Sequence, residues 1–364
     1  MLKVGMLTSG GDCQTLNAAM RGVAKTLYNL RPDTMIYGFL DGYKGLMYGD
    51  SKLMDPSDFS GILTVGGTIL GSSRQPFKKM SEPMEDGSDK VTRMIENYHA
   101  LNLDCLVILG GNGTHKTANL LSQKGLNIVS LPKTIDNDIY MTDMTFGFHS
   151  ALGVAANAID CVHTTAASHD RVFIVELMGH KVGWLTLYAG IAGGSDIILI
   201  PEIPYRLDSV LQAIVRRVKS GKRFSIIAMA EGAVPEEFAD LSNKEYTKRL
   251  RAAGYPSASY MLGNQIEEAI GQEVRIVVPG HTQRGGSPVP YDRVIATRLG
   301  AYAGRMIING QFGYMAALDN QKIVKIPLSK VAGKLKRVDP KSDIIRQTRD
   351  IGISLGDEEV TEEI

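Results

Sequence analysis

The sequence predicts an α/β protein built on mostly parallel sheets, and two observations predict it. Short runs rich in Val, Ile and Leu alternate with helical patterns, and most of the glycine pairs stand directly after an apolar run. The expected strands are Leu2 to Leu7, Met35 to Leu40, Cys105 to Leu109, Ile128 to Leu131, Val172 to Leu177, Ile197 to Ile200, Ser225 to Met229 and Val274 to Val278. Each is short and apolar throughout, the pattern of a strand covered on both faces. Helical spacing recurs between many of them, at Asn17 to Tyr28, Lys116 to Gln123, Gly183 to Ala192 and Leu207 to Val218. In such sheets ligands bind beyond the carboxyl ends of the strands.

The glycines mark those ends. There are 39 in 364 residues, where a usual share of about 7% gives roughly 25. Pairs at Gly10-Gly11, Gly66-Gly67, Gly110-Gly111, Gly193-Gly194 and Gly285-Gly286 permit sharp turns and leave amide N–H groups uncovered by any β-carbon. At about 150 residues per domain the length suits two domains. No Pro/Ser/Gly linker separates two halves, so the chain is expected to cross between domains more than once. The segment Phe77 to Lys90 reads as a polar surface excursion, and the acidic tail Gly356 to Ile364 as loosely ordered.

Composition excludes several classes. A net charge of +1 leaves no field to gather nucleic acid or anionic lipid, and no basic stripe with interleaved aromatics occurs. The longest run without Asp, Glu, Lys or Arg, Met144 to Ile159, has 16 residues and is too short and polar to span a bilayer. The start MLKVGMLTSGGD does not read as a signal peptide, so a cytoplasmic location is expected. Cys13, Cys105 and Cys161 are odd in number and form no C-x-x-C pair. That argues against a disulfide framework and a structural zinc site and for small apolar side chains.

Four loops can carry chemistry. TSGGD, Thr8 to Asp12, lies between a strand and a helix, where unpaired amides and the helix dipole favour an anion. Alone, it is equally a tight structural turn. LGGNGT, Leu109 to Thr114, offers bare backbone to a polyphosphate, and the Thr114 hydroxyl can donate or cap the next helix. It is not a Walker A motif, because His115 stands where that pattern needs glycine. PKTIDND, Pro132 to Asp138, sets two acids one residue apart, so that one can accept a proton while the other helps hold a hydrated magnesium ion. Its alternative is a polar turn. PGHTQRGGSPVPYDR, Pro279 to Arg293, joins His281 and Arg284 in a glycine loop ahead of a helix beginning near Pro288 to Pro290. An Arg fork with a neighbouring His suits a phosphate ester. His169, Arg171, Met178, Trp184 and Glu231 each read individually as structural.

Taken together these loops resemble the 6-phosphofructokinase family, in order from Thr8 to about Ala303. The matching segments are the GGD loop, a GTxLGSxR segment at Gly67 to Arg74, the GGDG-type loop, PKTIDND, the Met178-Gly179 pair and GHTQRGGSP. The resemblance implies two Rossmann-like three-layer domains with mostly parallel sheets and the active site in the cleft between them. Residues 1–140 plus about 283–333 would take the phosphoryl donor, and about 141–282 plus 334–364 the fructose 6-phosphate. The implied reaction is phosphoryl transfer from ATP to the 1-hydroxyl of fructose 6-phosphate, in glycolysis.

Position by position, the resemblance implies Asp136 as general base, with Thr134 and Arg171 stabilising the transferring group. Met178, Gly179, Glu231, Arg275, His281 and Arg284 would hold the sugar phosphate. Gly11, Arg74, Gly111, Asn112, Gly113, Thr114 and Lys133 would line the donor site, and Asn112 and Asp138 would serve Mg2+. Residues matching Arg171 and Arg275 reach the site from a neighbouring subunit in the family, which implies a homo-oligomer, a dimer or tetramer.

The chain departs from the pattern in places. Asn112 replaces the usual aspartate, Cys13-Gln14-Thr15 stands where Pro-Gly is common, and His180 follows the Met-Gly pair where many members have Arg. Gly113 is the residue of nucleotide users and Lys133 that of pyrophosphate users; the glycine leaves room for a nucleotide, so ATP is the expected donor and pyrophosphate the alternative. The bacterial effector site is half matched, by Arg21, Lys25, Asp196 and Lys222, with His163 replacing an arginine. A non-catalytic sugar-phosphate-binding subunit is the alternative of another class.

Overall fold

The computed structural model describes residues 1–169 and 171–360. In chain order its elements begin with β1 (Leu2–Ser9), α1 (Leu16–Leu30), β2 (Thr34–Phe39), α2 (Tyr43–Tyr48), β3 (Ser51–Met54), α3 (Lys90–Ala100), β4 (Cys105–Gly110), α4 (Asn112–Gln123) and β5 (Ile128–Pro132). There follow α5 (Phe148–Ala166), β6 (Val172–Leu177), α6 (Trp184–Ala192), β7 (Ile197–Leu199), α7 (Leu207–Lys219), β8 (Ser225–Ala230), α8 (Asn243–Ala252), α9 (Ala258–Ile270) and β9 (Val274–Val277). The chain closes with α10 (Pro290–Ile308), β10 (Tyr314–Asp319), β11 (Lys322–Pro327), α11 (Leu328–Val331) and α12 (Asp343–Asp350).

Two compact units result, residues 1–151 with 284–336 and residues 152–283 with 337–364. The first holds a seven-stranded sheet in the order β11-β10-β5-β4-β1-β2-β3, parallel except at its two edges. Every residue of β4 and β5 is buried, as strands covered by helices on both faces require. On one face Leu7, Phe39, Leu106, Ile108, Leu121 and Ile128 share a core. On α1 and α10 the helices approach closely: a Cβ on Gly22 would lie 2.8 Å from the Thr297 carbonyl, and one on Gly300 2.4 Å from that of Ala19. Glycine is required there by space rather than by backbone conformation.

The order of the strands creates a crevice. From β1 the chain moves to one side to make β2 and β3, then returns to the other side for β4. The loops leaving β1 and β4 therefore part in opposite directions, and that switch point is where open α/β sheets receive ligands. The second unit repeats the architecture with a four-stranded parallel sheet, β7-β8-β6-β9. Its core includes Ile174, Leu199, Ile227, Met229, Leu262 and Ile266.

Several sequence expectations need correction. The edge strands β3 and β11 carry mixed polar residues that hide the strand pattern, and β10, between β11 and β5, is a further strand the sequence expectation lacks although only its last residue is charged. The β10–β11 hairpin turns on Asn320 and Gln321, both at positive φ (48° and 66°), without the glycine that announces such turns. α4 begins at Asn112, so Thr114 sits inside its first turn and the N-cap is Gly111. Within the Phe77 to Lys90 excursion, Met80 and Met84 are buried against the core. Cys13 and Cys105 are buried as expected, but Cys161 is exposed. The tail is anchored through Glu358, which accepts from Ser354 and Leu355, while Arg206 donates its N–H to the Gly356 carbonyl at 2.7 Å. Residues 361–364 lie outside the described residues.

Candidate active site

In the first unit three loops meet beyond the carboxyl end of β1. Gly10 donates its N–H to the Ser73 carbonyl at 3.1 Å and accepts from the Ser72 hydroxyl at 2.6 Å. This anchors the segment that presents the exposed Arg74. Arg284 lays its guanidinium over Gly11, where a Cβ would come within 2.8 Å of Nη1, and donates to the Asp12 carbonyl at 2.9 Å. Gln14 fixes the same loop by donating to the Gly285 carbonyl at 2.9 Å. Gly11, Arg74 and Arg284 are thus brought together, although Arg284 belongs to the sequence motif of the other substrate.

The loop after β4 enters α4 at once. β1 and β4 are in register through Ser9 and Gly110, so Gly111, Asn112, Gly113 and Thr114 stand beside the β1 loop as the N-terminus of a twelve-residue helix. Unsatisfied amides and the helix dipole point to the same place and favour a phosphate. A β-carbon built on Gly10 would lie 3.7 Å from both Thr114 Oγ1 and Lys133 Nζ. Around Gly113 nothing lies within 4 Å of such an atom. The Asn112 side-chain amide donates to the Lys334 carbonyl. His115 donates from Nδ1 to the Gly111 carbonyl at 2.8 Å, and burial pushes its pKa down to about 4.

The loop after β5 carries the two acids. Lys133 is buried and donates to the Gly11 carbonyl, and burial lowers its pKa. Its ammonium therefore holds the glycine loop in place. The Thr134 hydroxyl accepts the Asp136 N–H at 3.0 Å, and the Thr134 carbonyl accepts the Thr145 hydroxyl at 2.8 Å. Asp136 is half-buried at the loop's tip. Between the acids, Asn137 adopts φ of 52° and accepts from the Thr145 N–H at 3.1 Å. Asp138 has its Oδ1 buried without a hydrogen-bond partner among the described residues, and its pKa is raised, first by burial and then by the charge of Asp136.

In the second unit the loops after β6, β8 and β9 converge. Glu231 accepts from the N–H groups of Gly179 and His180 at 3.3 and 2.8 Å. Gly179 has φ of 151°, and a Cβ there would sit 2.6 Å from the Val182 carbonyl, so no other residue fits. The buried Gln283 accepts from the Met178 N–H at 3.3 Å and donates to the Gly280 carbonyl at 3.0 Å. Met178, Gly179, Glu231 and the loop of the exposed His281 are thereby assembled.

Arg171 and Arg275 are not part of that assembly. They stand at the amino ends of β6 and β9, both paired with Glu273. A strand rises about 3.3 Å per residue, which puts Arg171 roughly 20 Å from the loop at Met178. At that same amino-terminal side Asp196 pairs with Arg217 at 2.6 Å and accepts the Ile226 N–H at 2.8 Å.

Sequence reading missed Gln283, Asn137 and Lys336. Lys336 donates from Nζ to Asn137 Oδ1 at 2.8 Å and to the carbonyls of Thr142 and Asp143 at 2.9 Å each. Nothing local marks it, because its partners lie almost 200 positions earlier in the chain.

The phosphofructokinase family model matches residues 3–307. Among curated proteins the chain is 54% identical to "ATP-dependent 6-phosphofructokinase" of Spirochaeta thermophila, over 97% of both chains. It is 46% identical to "ATP-dependent 6-phosphofructokinase 3" of Bacteroides thetaiotaomicron, over 98% of this chain and all of that one. Among solved structures it resembles the pyrophosphate-dependent phosphofructokinase of Marinobacter aquaeolei with a TM-score of 0.77 at 23% identity, covering 100% of this chain and 94% of that one. That likeness concerns the fold and not the donor. Among the described residues no helix is long and apolar enough to cross a membrane.

Proposed function

The chain belongs to the phosphofructokinase family, and from that premise we propose that it transfers the terminal phosphoryl group of ATP to the 1-hydroxyl of fructose 6-phosphate, a step of cytoplasmic glycolysis. The observation that carries the donor is the open space around Gly113 at the start of α4, where a nucleotide's phosphates can pass. Lys133, the feature that favours pyrophosphate, has its ammonium on the Gly11 carbonyl.

We assign the donor to residues 1–151 with 284–336 and the sugar phosphate, Arg284 apart, to residues 152–283 with 337–364. Asp136 takes the proton of the 1-hydroxyl as that oxygen bonds to the γ-phosphorus and the bond from phosphorus to the bridging β,γ-oxygen breaks, releasing ADP. The Thr134 hydroxyl, the helix N-terminus at Gly111 to Thr114 and Arg74 meet the charge on the donor oxygens. Glu231, Met178, Gly179, His281 and Arg284 bind and orient the sugar phosphate. Because Arg171 and Arg275 stand at the opposite strand ends, they serve the site of a neighbouring subunit in a homo-oligomer, dimer or tetramer.

Magnesium fits the acids present. Among the described residues no cluster of three or more potential ligands exists, and Mg2+ in kinases uses one or two carboxylates together with water and substrate phosphates. Asp138, with its unpartnered buried oxygen, is the residue to hold it, and Asn112 adds at most an amide oxygen. Bound there, the ion would offset negative charge on the donor phosphates.

Assays with ATP and with pyrophosphate at equal magnesium test the reading. Turnover of fructose 6-phosphate with ATP at least tenfold above that with pyrophosphate is expected. Activity with pyrophosphate alone would overturn the donor, and no transfer from either would overturn the reaction.

A further inference from the structure

The segment Lys334 to Lys336 touches both loops that the donor site needs. The Lys334 carbonyl accepts the Asn112 amide at the start of α4. Leu335 makes an antiparallel bridge to Ile139, just past the acids. The Lys336 N–H donates to the Asp138 carbonyl at 2.9 Å, and its Nζ donates to Asn137 Oδ1 and the carbonyls of Thr142 and Asp143. An ammonium has three N–H bonds to donate, and these oxygens lie within their reach.

From Lys336 the hydrogen bonds run on to the proposed base. Asn137 Oδ1 also accepts the Thr145 N–H, the Thr145 hydroxyl donates to the Thr134 carbonyl, and the Thr134 hydroxyl accepts the Asp136 N–H. Asp136 therefore sits beside a left-handed residue, Asn137, that is held from outside the loop by a lysine. The same segment gives Asn112 a role that an aspartate lacks, since only the amide can donate to a carbonyl.

We propose that Lys334 to Lys336 is a strap that ties the Thr134–Asp138 loop to the start of α4, and that Lys336 is a positioning residue for phosphoryl transfer, acting through Asn137. The catalytic part rests on the function proposed above; the strap itself does not. Displacing a reacting group by about 1 Å can cost about 10²-fold in rate, so loosening this loop acts on turnover rather than on sugar binding.

The test uses the full-length protein with Lys336→Met, Lys336→Arg and Asn112→Asp. Amide hydrogen exchange without ligands is followed in the loop from Asp136 to Thr145 and, as reference, in β4 and α1. kcat and KM are measured alongside. The expected result for Lys336→Met is exchange at least tenfold faster in the loop with β4 and α1 unchanged. Its kcat falls tenfold to a hundredfold while KM for fructose 6-phosphate stays within twofold. Lys336→Arg, which keeps donors, lies between, and Asn112→Asp speeds exchange at Leu335 and Lys336. Unchanged loop exchange, or faster exchange everywhere with KM rising in step, would overturn the strap. If the unaltered protein transfers no phosphoryl group to fructose 6-phosphate, the functional reading falls while the exchange result still decides the strap.

Discussion

Asp292 accepts both the backbone N–H and the hydroxyl of Ser150, at 2.7 and 2.6 Å, where both side chains are fully buried. Ser150 in turn accepts the Val289 N–H at 3.1 Å. One carboxylate thus joins the start of α5 to the start of α10, and with α10 it fixes the loop that carries Arg284.

Replacing Asp292 by Ala removes the acceptor and leaves two buried donors of Ser150 unmet. Losing such a charged, buried partner costs about 2–4 kcal/mol. Urea unfolding of the Asp292→Ala variant checks this, and a loss below about 1 kcal/mol would show that the tie is dispensable.

Gly113→Asp is expected to lower kcat/KM for ATP at least tenfold without harming the fold. Nothing lies within 4 Å of the new Cβ, the backbone there is helical, and an acid in a first helical turn is favourable by about 0.3–1 kcal/mol. Its carboxylate nevertheless projects towards the donor phosphates. Retained ATP turnover with unchanged stability would move the nucleotide away from this helix.

His115 makes stability depend on pH. Its folded pKa of about 4 lies below the ordinary 6.5, chiefly because burial disfavours the cation, with the Lys133 charge adding to it. A depressed folded pKa means the unfolded chain takes up the proton first. The contribution is therefore complete above pH 6.5 and is lost as pH falls towards 4, at about 1.4 kcal/mol per pH unit and about 3 kcal/mol in all. Urea unfolding of the original chain and His115→Asn between pH 7 and 4.5 should show the steeper fall in the original. Parallel slopes would mean the imidazole titrates normally.

Asp136→Asn removes the proposed base with nearly the same shape. A decrease of about 10²- to 10⁴-fold in kcat is expected, with stability within about 1 kcal/mol because the residue is only half-buried. Unchanged turnover would move the base elsewhere.

Much of the site was legible because its signals are local. Gly10-Gly11, Gly111 to Gly113 and the pair Asp136 and Asp138 each come a few residues after the end of an apolar run, and a strand followed by glycine already marks where a chain turns and exposes amides. The helical start at Asn112 was obscured because Asn and Gly are poor helix formers, and the packing of α4 on β4 and β5 outweighs that preference. Lys133 shows the limit most directly: the sequence places a cation beside the two acids, and only the fold shows its ammonium reaching the Gly11 carbonyl.

By itself the sequence determined the α/β class, the ends of the buried strands and the chemistry available at those ends, since each depends on neighbours a few positions apart. Only the tertiary structure decided that β4 returns beside β1, that Lys336 reaches Asn137, and that β9 pairs with β6 so that Arg171 and Arg275 share Glu273. Those relations arise from strand order and hydrogen bonds across one to two hundred residues, and no short stretch of chain carries the free energy that selects them.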